Sequence, residues 1–216
     1  MPGVCRRANA ATINRRARRG CSRCGNRHVE RAMRKTVIES STQMRDVLLE
    51  TFAVNDAINQ LLLKQLDPRA WRAEPPRAKG AKGRTIAAIF SHMHNIRRKW
   101  IRLSAPHIKL PKELEHARCT QRKARAAMAQ SGRLCSQMLA EALTSPNGRV
   151  RQFHRDGWAR SWPSGAAMIV YMISHEAHHR GQICMLAHQL GFPVKAGYKM
   201  WAWERLWRQC GFNGPR

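Results

Sequence analysis

Apolar residues along this chain recur three and four positions apart, the spacing of a helix face, and no stretch alternates convincingly as a half-buried strand would. From Ser41 onward, in TQMRDVLLETFAVNDAINQLLLKQL, residues Met44, Leu48, Phe52, Ile58, Leu62 and Leu66 fall at helical intervals, with Ser41 or Thr42 placed to cap the first turn. Asp67-Pro68 ends that helix, and the Pro/Gly-rich basic stretch RAEPPRAKGAKG leads onward. A second helix is predicted over RTIAAIFSHMHNIRRKWIRL, bounded by Pro106 and Pro111, and a third, polar and Ala-rich, from about Lys112 to Leu143. Ser145-Pro146-Asn147-Gly148 is a strong turn signal, and RQFHRDGWARSWP reads as a loop. Pro163 suits the first turn of a fourth helix that runs to Leu190 and stops at Gly191. Trp201, Trp203 and Trp207 then suit a short closing segment packed on the bundle. Four long amphipathic helices predict an all-α four-helix bundle, a fold that builds metal sites from inward-facing side chains.

Length and charge refine this picture. At 216 residues the chain suits one domain, expected over 36–216, preceded by an extension over 1–35. That extension holds ten arginines and Lys35 against Glu30, a net of +10, and has almost no large apolar residues. Such a segment cannot offset its ordering entropy by burial, so it is expected to be disordered. A transit peptide, a basic nucleic-acid-binding arm and a translation start at Met33 are further readings of the same stretch. The remaining residues carry +17 of the total +27, so the domain itself is basic, and partners bearing phosphate are one class the charge favours. Seven cysteines, at 5, 21, 24, 119, 135, 184 and 210, lack the spacing of a disulfide scaffold and suit reduced thiols in a cytoplasm. Cys21 and Cys24 with Cys5 and His28 are four potential zinc ligands, though not in the two close pairs that structural zinc sites usually show. No apolar run approaches the ~20 residues of a membrane-spanning helix.

Candidate chemistry concentrates in ISHEAHHRGQ, residues 173–182, where His175, Glu176 and His179 satisfy the H-E-x-x-H pattern of zinc proteases. Met168, Met172, His175, His179, Ile183, Leu186 and Leu190 step by three and four, so His175 and His179 share the core stripe of the fourth helix. At i, i+4 their imidazoles lie side by side and can reach one cation. His178 lies about 100° round from His179 and leaves that stripe. On the second helix His92 falls with Ile89, Ile96 and Leu103, while His94 falls with Ala87, Phe90 and Ile101, and periodicity does not separate the two. Buried, hydrogen-bonded imidazoles would produce the same spacing as ligands.

IFSHMHNIRRKWI on the second helix, YMISHEAHHRGQICMLAHQLG on the fourth and the Trp-rich end together resemble the DinB family of DinB/YfiT-like metalloenzymes. The likeness covers about residues 36–210, and its most specific part is H-x-x-H-H-R-G-Q. The resemblance implies a four-helix bundle, often dimeric, binding one divalent ion, zinc or nickel, through three histidines. Matched residue by residue, these are His92, His175 and His179, with His94 and His178 as non-ligands. Three neutral imidazoles leave coordination positions open, so a bound water or thiol can have its pKa lowered toward neutrality. The family includes thiol-dependent transferases and isomerases using bacillithiol or mycothiol. The resemblance therefore implies a metal-dependent transferase of small molecules with a low-molecular-weight thiol as co-substrate, and metal-dependent hydrolysis as the second reaction type. Arg97, Arg98 and Arg180 are candidates to hold an anionic thiol, against the plainer reading of solvated surface charges.

A peptidase fits less well. The downstream extension of such sites fails, because Gln182 stands where glycine is needed and Met185 where a third histidine would be. Glu204 is a distant alternative ligand, but there is no strand on which an extended peptide could lie. Glu176 is then expected to be a polar helix residue beside the site. Nucleic-acid binding through the basic N-terminus is the non-enzymatic alternative, expected to be weak and strongly salt-dependent.

Overall fold

A computed structural model describes residues 22–74, 83–145, 165–195 and 204–208. Among residues 22–42 it describes the side chains at 30, 31, 33 and 39 alone. The regular elements among the described residues are all helices, with no strand among them. Four long helices follow one another: α1 (Ser22–Gln65), α2 (Ile86–Ser104), α3 (Gln121–Thr144) and α4 (Gly165–Gln189). Short 3-10 turns stand at Pro68–Ala70 and His116–Arg118. The chain divides into two units, Met1–Ser41 and Thr42–Arg216. In the first unit the described part, residues 22–41, is helical backbone. The all-α bundle belongs to the second.

Local chemistry sets the helix ends. Thr85 accepts the Ala88 amide at 3.2 Å to start α2, and Thr120 accepts that of Lys123 at 3.2 Å to start α3. Gly191, at φ 79°, closes α4 in the left-handed conformation that glycine adopts without strain. Its N–H meets the His188 carbonyl at 3.0 Å, and the Phe192 N–H reaches back to Ala187 at 2.9 Å, the paired bonds of a Schellman cap.

Two expected boundaries are corrected. The first helix begins at Ser22, so Ser41 and Thr42 lie inside it and do not cap it. Residues 22–35 of the extension are helical backbone, while 1–21 lie outside the described residues. Straight-chain Arg, Glu, Met and Lys favour a helix without marking any apolar stripe, so periodicity passes over them. The third helix begins at Gln121 and not at Lys112. Residues 105–120 instead form a strap tied to α2: the Asn95 amide donates to Leu114 O at 3.0 Å and accepts its N–H at 3.1 Å, and Arg98 Nε donates to Pro111 O at 2.8 Å. Of the aromatic tail, Trp207 lies half-buried in a helical stretch over 204–208, whereas Trp201 and Trp203 fall outside the described residues.

The bundle holds two apolar cores. One gathers Leu62, Leu63, Ile86, Phe90, Met93, Met128 and Ile183. The other gathers Phe52, Trp100, Ile101, Met138, Leu139, Met168 and Met172. Between these two sets every helix contributes polar side chains to the interior: Asn55, Asp56 and Asn59 on α1, His94 and Arg97 on α2, Ser131 on α3, and Glu176, His179 and Arg180 on α4. A buried polar layer therefore crosses the middle of the bundle.

Candidate metal centre

Glu176 is the hub of that layer. It is fully buried, and its carboxylate accepts four short bonds: Arg97 Nε at 2.6 Å, Arg97 Nη2 at 2.9 Å, Asn55 Nδ2 at 2.7 Å and Asn59 Nδ2 at 2.6 Å. The oxygens of the same two asparagines accept Arg180 Nη1 at 2.7 and 2.9 Å. Arg97 Nη1 continues to Asp56 Oδ1 at 2.7 Å and to the Met128 carbonyl at 3.0 Å. Gly132 leaves room for this arrangement, since a Cβ there would stand 2.5 Å from the Asp56 carboxylate. Burial alone would raise the Glu176 carboxyl, but the charge and hydrogen bonds of Arg97, with the two asparagine amides, outweigh it and hold the group below its ordinary value. Glu176 is thus ionised and paired, against the expectation of a simple polar residue. Arg97 and Arg180 are buried members of the network and not solvated charges. Arg98 is partly buried and bonded to Pro111 O and, at 3.2 Å, to Glu113.

Locking the α4 backbone at position 176 sets the direction of its neighbours at 175 and 179. His92, His175 and His179 come together with one ligand atom from each, all within 4.8 Å of one another. The Nε2 atoms of His175 and His179 lie 3.2 Å apart. Two nitrogens each ~2.1 Å from one ion at a tetrahedral angle stand about 3.4 Å apart, so this pair has the separation of co-ligands. His179 Nδ1 meets Gln182 Oε1 at 2.8 Å, an arrangement in which Nδ1 carries the proton and Nε2 presents its lone pair to the cluster. Trp100 packs edge-on against the His175 ring with centroids 5.3 Å apart, and Tyr171 stacks at 6.3 Å. His92 completes the group from α2, its ring centroid 4.8 Å from that of His179 and 5.5 Å from that of His175. It also lines a cleft of about 500 Å³ between the start of α2 and the strap, with Glu74, Arg84, Thr85, Asn95 and His116 among its walls.

Residues 38–207 match the DinB family, which covers most of the chain. The chain belongs to the DinB family. No curated protein and no solved structure gives a match. The three clustered histidines of this DinB chain are the ones the resemblance implied, and the donor set suits a divalent cation. His92 is pushed down to about 4, first by burial and then by the charge of Arg84, and His179 is lowered chiefly by burial. Both are therefore neutral near pH 7, as metal ligation requires.

The other histidines stand apart. His94 is fully buried, donating from Nε2 to Lys112 O at 2.9 Å and taking the Ser131 hydroxyl at Nδ1 at 3.2 Å, so both of its nitrogens are committed. His178 is exposed. Glu204 lies 3.8 Å from Arg208 as an i, i+4 ion pair and is not part of the cluster. Cys5 and Cys21 lie outside the described residues, as do the side chains of Cys24 and His28. No helix among the described residues is long and apolar enough to cross a membrane.

Sequence reasoning passed over Gln182 as a ligand partner and the whole network around Glu176. A signal was present. Phe52, Asn55, Asn59, Leu62 and Leu66 form an unbroken helical stripe with asparagine at two core positions. Met172, Glu176 and Ile183 do the same with a carboxylate on α4.

Proposed function

We propose that this DinB-family chain is a divalent-metal-dependent enzyme that holds one zinc or nickel ion on His92, His175 and His179 and transfers a low-molecular-weight thiol to an electrophilic small molecule. The observation that carries the reading is the 3.2 Å approach of the His175 and His179 Nε2 atoms beside His92, from a separate helix. A divalent ion on three imidazoles retains open positions and brings the pKa of a bound thiol or water toward neutrality. The chain's residues do the rest. Gln182 fixes the tautomer of His179, and the Arg97–Glu176 pair ties α2 to α4 so that His92 faces its two partners. The cleft beside His92 has the volume of a small-molecule site.

Incubating the metal-loaded protein with an electrophilic probe and, in turn, bacillithiol, mycothiol and glutathione tests the reaction type. Thiol adducts that accumulate over many turnovers with at least one of these thiols are the expected result. Turnover of the probe by water at the same rate with no thiol present would replace transfer with hydrolysis.

A further inference from the structure

Three arginines near the histidines are already committed, Arg97 and Arg180 to the buried network and Arg98 to the strap. Arg84 is different. Its side chain is exposed on the wall of the cleft that also contains His92, and it has no hydrogen bond or ion pair among the described residues. It directly precedes Thr85, the cap of α2, so it adds to the positive end of that helix. Glu74 is the one carboxylate among the described residues lining the cleft.

We infer that Arg84 is a specificity-determining residue which selects ligands carrying a carboxylate or phosphate, the anionic group held at the cleft wall while the other end of the molecule faces the three histidines. This rests on the metal-dependent reading above for what happens at the far end, but not for the anion contact itself. A guanidinium meets a carboxylate through two parallel N–H bonds, whereas a lysine ammonium offers a point charge. An exposed lip residue of this kind changes affinity rather than folding. The anionic group belongs to the thiol co-substrate or to the electrophile, and both present the same chemistry to Arg84.

Titration calorimetry on the full-length, zinc-loaded protein separates the cases, with mercaptopropionate, mercaptoethanol and propionate as probes against wild type, Arg84→Gln and Arg84→Lys. Wild type is expected to bind mercaptopropionate about tenfold more tightly than mercaptoethanol, the increment of one charge-assisted contact. Arg84→Gln should erase that preference while its zinc content and its mercaptoethanol affinity stay unchanged, and Arg84→Lys should keep part of it. Preference for mercaptopropionate alone assigns the anion to the thiol. Propionate binding that also falls in Arg84→Gln shows that the pocket takes the anion independently of sulfur, as an electrophile's carboxylate would require. Equal affinity of wild type for the acid and the alcohol, or a preference that survives in Arg84→Gln, overturns the inference. Zinc content is the separate readout for the histidine site: a wild type that binds no zinc but still discriminates through Arg84 would sink the metal reading and leave the anion site standing.

Discussion

Gln182 shows how much one side chain can decide. It lies one turn beyond His179 and bonds its Nδ1, which leaves Nε2 as the nitrogen offered to the cluster. Replacing Gln182 with Leu removes that orientation and puts nothing in its place. Outer partners of metal-bound histidines typically contribute 10- to 100-fold in affinity, so Gln182→Leu should weaken zinc binding by roughly that factor with little change in thermal stability. Competition against a chromophoric chelator measures it, and unaltered affinity would remove Gln182 from the site. The i, i+4 histidine pair was legible from spacing because a core stripe on a helix is a one-dimensional pattern. The pairing of His92 rather than His94 with it was not, because both occupy apolar-flanked positions of α2, and only the three-dimensional meeting of α2, α3 and the strap gives His94 its own partners in Ser131 and Lys112.

Among the helices, the buried layer acts as a set of registration points. Arg97 joins α2 to Glu176 on α4 and to Asp56 on α1, and Asn55 and Asn59 join α1 to both Glu176 and Arg180. A buried pair repays its desolvation only while both partners are present, and removing one leaves an uncompensated charge. Glu176→Ala should therefore destabilise the protein by about 3–5 kcal/mol, measured by urea unfolding at neutral pH, because the buried Arg97 loses its bidentate carboxylate and keeps only Asp56 as an ionic partner. A loss under about 1 kcal/mol would mean that water or Asp56 compensates Arg97 and that the layer does not hold the helices in register. The helices themselves were readable from apolar periodicity and from caps such as Gly191. Their polar centre was not, because a charged residue inside an apolar stripe looks like a break in the pattern until its partners, more than 75 positions away in the chain, are seen beside it. The polar start of α1 was missed for the converse reason, as a helix without a stripe leaves no periodic trace.

For the molecule as a whole, the depressed histidines make stability depend on pH. The folded value of His92 is about 4 against an ordinary 6.5, and His179 is lowered as well, so between those limits the unfolded chain binds more protons than the folded one. That contribution is fully present above about pH 6.5 and is lost as pH falls through about 4. For metal-stripped protein, the unfolding free energy should decline across this window, and less steeply in His92→Asn, which cannot take up a proton there. Identical pH dependence in the two proteins would show that residue 92 is not shielded as described. The central claim is that three imidazoles from two helices hold one metal ion. Its most direct test is elemental analysis of the purified protein beside His179→Ala, both shown to be folded by circular dichroism: one zinc or nickel per chain in the former and less than a tenth of that in the latter is the predicted result, and equal metal content in both, or none in either after equilibration with zinc, would contradict it.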